Sequence, residues 1–273
     1  MCRVLGCVAK ERLSLRHELL DAPNPLIHQS EEHDSGWGVA VYSFGEGEEP
    51  SCLRFPEAAF SDAEFEAATK LRGRIFNAHV RRATMGGLTP ENTHPFCLGE
   101  YSFSHNGTIL NFPRLLGRGV RRPAGQTDSE AFFNLLMRDY DPDDAVASLR
   151  GAVNAVIDSG PFSGVNFLFS DGELLYAYRL GVFELHWLAR PGQLLVASER
   201  VTGERWHDVR QDVLLVCDPN DPAEEPHAER LVGDEAVARA QIQKFHEGDG
   251  LRGRERGEFA AQRAARLAGS ASA

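Results

Sequence analysis

The chain has 273 residues, of which 42% are hydrophobic and 25% charged, the proportions of a globular protein with room for a sizeable core. Its formal net charge of −11 argues against a nucleic-acid or anionic-membrane surface over the body of the protein. No apolar stretch is long enough to cross a bilayer. The five cysteines are scattered, without a CxxC pair or Cys/His cluster, which favours a reduced cytoplasmic protein without a metal site or cofactor.

Short apolar runs, many of them bounded by glycine, proline or asparagine, predict strands in both halves of the chain. The predicted strands are 3–9, 36–42, 51–55, 74–80, 100–105, 165–169, 173–179, 183–188, 194–198 and 212–217. Strands are followed by helices and then by strands again, without strict alternation. This order predicts an α+β protein in which antiparallel sheets are stacked with helices outside them.

Capping boxes at 61–64 and 127–130 each predict the start of a helix. The predicted helices are 61–72, 127–140, a following helix that ends near 157, and 234–246. Residues 10–35 are polar and interrupted by prolines, so we expect a long loop there, and 45–50 should form a turn. We expect residues 1–248 to form one domain, followed by an arginine- and alanine-rich tail or peripheral helix at 249–273.

The second residue carries the first chemical signal. If Met1 is removed, Cys2 bears both a thiol and a free α-amine, whose ordinary pKa values are about 8.5 and about 8. The amine can then accept the thiol proton, so one residue supplies a nucleophile and its general base. The alternative is a small apolar side chain on a frayed terminus.

Three further features contain residues that can bind a charged group or an oxyanion. Arg81 and Arg82 end a predicted strand, where a guanidinium can bind a carboxylate or simply be solvated. Asn106 and Gly107 offer a side-chain amide and a backbone N–H to an oxyanion, but the same pair is common in hairpin turns. Asp128 can pair with an ammonium group or serve as a first-turn acid of its helix.

The ordered set of motifs resembles the class II glutamine amidotransferases, which are N-terminal-nucleophile hydrolases. The motifs are Met-Cys at the start, His-Val-Arg-x-Ala-Thr at 79–84, Asn-x-His-Pro-Phe at 92–96, His-Asn-Gly at 105–107 and Thr-Asp-Ser-Glu at 127–130. The Gly-Trp-Gly sequence at 36–38 and the His-Pro-Phe sequence are similar to a stand-alone subgroup. That subgroup includes the amidohydrolase of ergothioneine biosynthesis.

The resemblance implies a four-layer αββα sandwich of two antiparallel sheets. It also implies that Cys2 attacks the side-chain amide of glutamine and forms a γ-glutamyl thioester, with Asn106 and Gly107 as the oxyanion hole. Water then releases glutamate.

The resemblance also assigns residues that bind the substrate. Arg81 would bind the α-carboxylate of glutamine and Asp128 its α-ammonium group, with Thr84 and His94 as further substrate-binding candidates. A zwitterionic amino acid needs one fixed cation and one fixed anion, and Arg81 and Asp128 have these signs.

Two alternatives remain beside a glutaminase. One is a γ-glutamyl hydrolase that acts on a modified γ-glutamyl metabolite, and the other is a non-catalytic glutamine-binding subunit that keeps the fold. No phosphate loop, nucleotide motif or acceptor site is visible in the sequence. Ammonia transfer would therefore need a separate synthase or acceptor-enzyme subunit.

Overall fold

The computed structural model describes residues 2–43, 49–222 and 225–248. The predicted tail at 249–273 and most of the predicted turn at 45–50 lie outside these residues. Within them, no helix is both long and apolar enough to cross a bilayer.

The described residues form thirteen strands, which lie in two antiparallel sheets. In chain order the strands are β1 Arg3–Leu13, β2 Trp37–Tyr42, β3 Ser51–Phe55, β4 Gly73–Val80, β5 Phe96–Leu98, β6 Tyr101–Asn106, β7 Asn166–Ser170, β8 Leu175–Arg179, β9 His186–Arg190, β10 Gln193–Ala197, β11 His207–Asp208, β12 Val213–Cys217 and β13 His227–Glu229. The first sheet has the order β11-β9-β10-β1-β4-β2-β3 and the second β13-β12-β8-β7-β6-β5.

Helices cover the outer faces of the two sheets. The α-helices are α1 Leu26–Gln29, α2 Ala63–Ala68, α3 Asp128–Asp139, α4 Ala145–Ser159 and α5 Glu235–Glu247. A π-helical turn spans His17–Asp21, and short 3-10 turns span Ala59–Ser61, Pro90–Asn92, Phe112–Leu115 and Pro142–Asp144. The predicted helix at 234–246 is confirmed, with Asp234 as its cap.

Three apolar clusters hold the layers together. One lies between the sheets and includes Val4, Val8 and Leu168. A second packs the outer face of the first sheet against the segments that hold α1 and α2, and a third packs the second sheet against α3 and α4. Both faces of β1 are therefore buried, as its nearly continuous apolar sequence requires. The predicted αββα sandwich is confirmed.

The sheets approach each other closely at Gly6, in the middle of β1. A Cβ atom at this position would lie 2.8 Å from Leu175 Cδ2 and 3.1 Å from Leu168 Cδ1, both on the second sheet. Because real Cβ atoms essentially never lie within 3.0 Å of another heavy atom, a side chain at position 6 would force the Leu175 side chain to move.

The predicted loop at 10–35 is wrong in part. Strand β1 continues to Leu13, and the π-helical turn and α1 follow it. Leu15, Leu19 and Leu26 are buried in the cluster outside the first sheet, and this burial organises a segment whose composition is polar. Helix α2 is shorter than predicted, and its cap is Asp62, which accepts a hydrogen bond from Glu64 N at 3.0 Å.

Two of the cysteines are paired, which corrects the expectation of reduced thiols. A disulfide joins Cys52 on β3 to Cys97 on β5. These two strands are edge strands of different sheets, so the bond clamps the layers together along one side of the sandwich. Cys7 and Cys217 are free and buried, and Cys2 is free and partly exposed.

Candidate active site

Cys2 stands at the start of the central strand of the first sheet. Strand β1 pairs with β4 so that Arg3 lies opposite Val80, which places Cys2 beside Arg81 at the end of β4. The thiol donates a weak hydrogen bond to the Arg82 carbonyl oxygen at 3.7 Å. Burial raises the pKa of the Cys2 thiol. The thiol is therefore protonated at neutral pH and needs a base before it can attack.

The backbone next to Cys2 is anchored. Val4 N donates to Ser198 Oγ at 3.0 Å, and Ser198 N donates to the Val4 carbonyl oxygen at 3.1 Å. Arg3 forms an ion pair with Glu199 at 2.9 Å. From residue 2 onward the terminus is thus held by its neighbours and is not frayed. The sequence alone does not predict that Ser198 anchors β1. Ser198 follows β10, and only the fold shows that β10 lies beside β1.

Arg81 is the inward-facing member of the arginine pair. It is 2% exposed, whereas Arg82 is exposed. Its guanidinium donates to the carbonyl oxygens of Met85 at 2.8 Å, Gly87 at 3.0 Å and Gly86 at 3.3 Å. Among the described residues no carboxylate forms an ion pair with it, so a buried cation remains available to an anionic group. The alternative of a solvated arginine applies to Arg82 only.

Asn106 is the last residue of β6 in the second sheet, and Gly107 follows it directly. Asn106 is buried, and its Oδ1 position has no hydrogen-bond partner. A Cβ atom on Gly107 would lie 1.9 Å from the Gly164 carbonyl oxygen, so a side chain does not fit. No hydrogen bond of the Gly107 N–H is found in the described part of the chain. The chain continues towards α3 and does not turn back, which excludes the hairpin interpretation.

Asp128 is the first residue of α3 and is buried. Its Oδ2 atom accepts a hydrogen bond from Ile109 N at 2.7 Å, which ties it to the segment after Gly107. The helix is capped by Thr127, whose Oγ1 accepts from Glu130 N at 3.2 Å, so capping does not require Asp128. Burial raises the pKa of Asp128 from 3.8 to about 6, because the ionised carboxylate is poorly solvated there.

Two side-chain contacts brace the site: one joins β6 to the start of α3, and the other joins the loop after Arg81 to the loop after Gly107. His105 Nε2 donates to the Gly164 carbonyl at 3.2 Å, so His105 Nδ1 accepts from the Ser129 hydroxyl at 2.9 Å. Burial lowers the pKa of His105 to about 4, and this brace is therefore neutral. The hydroxyls of Thr84 and Thr108 lie 3.3 Å apart and join the loop after Arg81 to the loop after Gly107.

His94 lies behind the site. Its ring packs on His79 and Phe96, with centroid distances of 4.2 and 4.6 Å. Neither ring nitrogen has a hydrogen-bond partner, and burial lowers the pKa of His94 far below its ordinary value, so the ring is neutral. The structure forms no hydrogen bond between His94 and the charged residues of the site, and its role in substrate binding stays a prediction.

Arg81 and Asp128 shift the pKa of the Cys2 thiol in opposite directions. Arg81 lowers the pKa of the Cys2 thiol and Asp128 raises it, both as smaller effects than burial. Asp128 and Cys2 in turn raise the pKa of Arg81 against the larger lowering by burial. A thiol, a buried cation and a buried anion are therefore within electrostatic reach of one another. No group of three or more possible metal ligands is found in the ranges that the structure describes.

Known proteins share part of this sequence. A family model described as class-II glutamine amidotransferases matches residues 1–193. The uncharacterised protein MJ1515 of Methanocaldococcus jannaschii is 35% identical over 70% of this chain and 54% of its own length. The gamma-glutamyl-hercynylcysteine sulfoxide hydrolase of Mycolicibacterium smegmatis is 30% identical over 77% of this chain and 92% of its own.

Solved structures share the fold. Glutamine phosphoribosylpyrophosphate amidotransferase from B. subtilis superimposes with a TM-score of 0.64 and 18% identity, over 85% of this chain and 50% of that one. The chain spans about half the length of several curated relatives that it matches. Because the family model covers more than half of its residues, the chain belongs to the class-II glutamine amidotransferases.

Proposed function

We propose that this protein is a cysteine-dependent amidohydrolase that releases ammonia from the side chain of glutamine. The observation that carries the proposal is a single thiol set beside one buried cation and one buried anion. Free glutamine is a zwitterion at its α-carbon, so Arg81 and Asp128 match its two charges while Cys2 meets its amide. A net acidic protein can bind such a substrate because the local pair decides recognition.

The proposed reaction requires a free α-amine on Cys2, which accepts the thiol proton. The sulfur then attacks the amide carbon, and Asn106 and the Gly107 N–H stabilise the oxyanion that forms. The amine returns the proton to the leaving nitrogen, so that ammonia departs and a γ-glutamyl thioester remains. Water, deprotonated by the same amine, cleaves the thioester to give glutamate and restores the thiol.

Arg81 can bind the α-carboxylate without releasing its loop. A guanidinium has five N–H donors, and Arg81 donates three hydrogen bonds to the carbonyl oxygens of residues 85–87. Two donors remain for a carboxylate. Asp128 would meet the ammonium group as a carboxylate, the form that dominates above its pKa of about 6.

A second candidate function is hydrolysis of a γ-glutamyl amide larger than glutamine. It is supported by the 30% identical relative that is named as a gamma-glutamyl-hercynylcysteine sulfoxide hydrolase. The proposed clamp contacts only the glutamyl end, so it would serve either substrate. In the glutaminase case, the ammonia would pass to a separate synthase or acceptor enzyme.

The test combines N-terminal mass spectrometry with an ammonia-release assay on the wild type and on Cys2→Ala. We expect processed Cys2 at the terminus, turnover of glutamine or a γ-glutamyl amide by the wild type, and none by the variant. Cys7→Ala is the control. Cys7 is a free cysteine like Cys2, but it lies within β1 and is fully buried. Retained methionine, or undiminished turnover by Cys2→Ala, would overturn the proposal.

A panel of γ-glutamyl amides separates the two candidate substrates, and glutamine binding without turnover would indicate a non-catalytic subunit.

A further inference from the structure

Asn92, at the end of the 3-10 turn Pro90–Asn92, is fully buried, and both its Nδ2 and its Oδ1 atoms form hydrogen bonds. Its Nδ2 donates to the Gly87 carbonyl oxygen at 3.1 Å and to Gln126 Oε1 at 2.9 Å. Its Oδ1 accepts from Gln126 N at 2.7 Å. One side chain thus joins two loops that are far apart in the sequence.

The first of these loops leads to the cation of the site. The Gly87 carbonyl oxygen that receives the Asn92 amide also receives Arg81 Nη1 at 3.0 Å. A single carbonyl group therefore stands between Asn92 and the Arg81 guanidinium. Movement of the Asn92 amide would remove one of the two donors that hold this carbonyl in place.

The second loop leads to the anion. Gln126 lies two residues before Asp128, and its backbone N–H and side chain are both bonded to Asn92. Glu130 holds the same loop from the helix side, accepting from the N–H groups of Ala124 and Gly125 at 2.7 Å each. The chain that enters Asp128 is therefore fixed from both sides, and Asn92 supplies the contact from the Arg81 side.

We propose that Asn92 is a positioning residue that sets the spacing between Arg81 and Asp128, and so selects substrates that carry both an α-carboxylate and an α-ammonium group. This inference rests on the proposed function, since it assigns the two charges to one amino-acid substrate. Asn92 touches neither the thiol nor the oxyanion donors. It acts on recognition through the two loops and leaves the chemistry of Cys2 unchanged.

Two variants separate the contacts. Asn92→Ala removes all three hydrogen bonds, whereas Asn92→Asp keeps the shape and the acceptor for Gln126 N but loses both donated bonds. We expect both to raise KM for the amide substrate by about tenfold or more, as loss of a buried network should, with kcat changed by less than about threefold.

The control is Asn154→Ala. Asn154 makes the same pattern of bonds in α4, donating to Arg150 O and Leu231 O at 2.8 Å and accepting from Gly233 N at 2.9 Å. The comparable loss of bonds outside the site should leave KM unchanged.

A second measurement follows the alkylation of Cys2 by neutral iodoacetamide, read from the Cys2 peptide by mass spectrometry. Without ligand, the Asn92 variants should react at the wild-type rate. Protection by glutamine should weaken about tenfold. Protection by 4-carbamoylbutanoate, which lacks the ammonium group, or by 4-aminobutanamide, which lacks the carboxylate, should weaken much less. A ligand with one charge contacts only one of Arg81 and Asp128, so its binding does not depend on the distance between them. If Asn92 only stabilised the fold, protection by one-charge and two-charge ligands would weaken equally.

The outcomes distinguish the two proposals. If glutamine and γ-glutamyl amides neither protect the wild type nor are cleaved, the proposed function fails, and this inference fails with it. If the wild type is protected but folded Asn92 variants show the same protection as the wild type, only the inference is overturned. It is also overturned if the unliganded alkylation rate changes as much as KM, or if one-charge and two-charge ligands lose protection equally.

Discussion

Replacing Asp128 with asparagine should stabilise the folded protein and at the same time weaken its binding of the substrate by about 100-fold. The carboxylate is buried, and an asparagine oxygen can still accept the hydrogen bond from Ile109 N that Asp128 Oδ2 accepts at 2.7 Å. The substitution therefore keeps the hydrogen bond from Ile109 N and removes the charge, although one asparagine oxygen replaces a carboxylate that also accepts from Ser129 N. In the unliganded protein the ionised carboxylate is destabilising, because burial opposes its ionisation more strongly than the backbone hydrogen bonds from Ile109 and Ser129 and the charge of Arg81 together favour it.

The size of the effect follows from the pKa. Folding raises the pKa of Asp128 from 3.8 to about 6, a rise of about two pH units at about 1.4 kcal/mol each, or about 3 kcal/mol. The pKa of Asp128 is higher in the folded than in the unfolded protein. Its contribution to the free energy of unfolding is therefore fully present below pH 3.8 and is lost as the pH rises through about 6. Asp128→Asn should therefore match the wild type near pH 3.5 and exceed its free energy of unfolding by about 3 kcal/mol at pH 8.

The same pKa predicts the pH dependence of activity. Only the ionised carboxylate attracts an ammonium group, so wild-type kcat/KM for glutamine should fall as the pH drops through about 6. In Asp128→Asn this step should disappear. Its KM at pH 8 should be raised by about 100-fold, the loss expected when one partner of a buried charge pair is removed.

The assay is urea unfolding at a series of pH values, together with ammonia release at the same values. The control is Asp212→Asn, at another buried aspartate. Its carboxylate is fully bonded to Tyr178 OH, Leu231 N and Arg230 Nε at 2.9, 3.0 and 2.9 Å, so its loss should destabilise the protein. The reasoning is refuted if Asp128→Asn is no more stable than the wild type at pH 8, or if the two stability curves stay parallel.

Three further predictions concern the oxyanion site and the disulfide. Gly107→Ala should lower the free energy of unfolding by about 2 kcal/mol or more, because its Cβ would lie 1.9 Å from a carbonyl oxygen, and an unchanged urea midpoint would contradict this. Asn106→Ala should lower kcat by about 10²–10³-fold with little change in KM, and a loss below tenfold in steady-state assays would exclude it as an oxyanion donor. Cys52→Ser should lower the free energy of unfolding by about 2–4 kcal/mol relative to the protein with the disulfide intact. A non-reducing peptide map should contain the Cys52–Cys97 peptide, and its absence would show that the bond does not form.

The residues of the site could be predicted from the sequence because they occupy the ends of regular elements. Arg81 follows a buried strand, Asn106 ends another and Asp128 opens a capped helix, so their positions follow from local signals. The choice between Arg81 and Arg82 came from the family motif, and the structure buries the first and exposes the second. The two-sheet architecture could be inferred from the order of strands and helices together with the family motifs.

Other features depend on contacts between distant segments, which no local pattern encodes. Ser198 holds β1 only because β10 lies beside it in the sheet, and Asn92 joins loops that meet only after folding. Cys52 and Cys97 are separated by 45 positions and have no paired-cysteine signature. The segment at 10–35 looked like a loop by composition, yet a few of its leucines are buried and fold it into short turns.

The close approach of the sheets at Gly6 has a consequence for protein engineering. Cys2 lies four positions before Gly6, directly before the same strand, and Asn106, which we propose as an oxyanion donor, belongs to the opposite layer. A methyl group at position 6 would have to displace the side chains of Leu175 and Leu168, whose ends face it from the opposite layer, and so disturb the packing between the sheets four residues from Cys2. Turnover is therefore expected to be sensitive to a residue that has no functional group, and libraries that aim to alter substrate choice should leave it fixed.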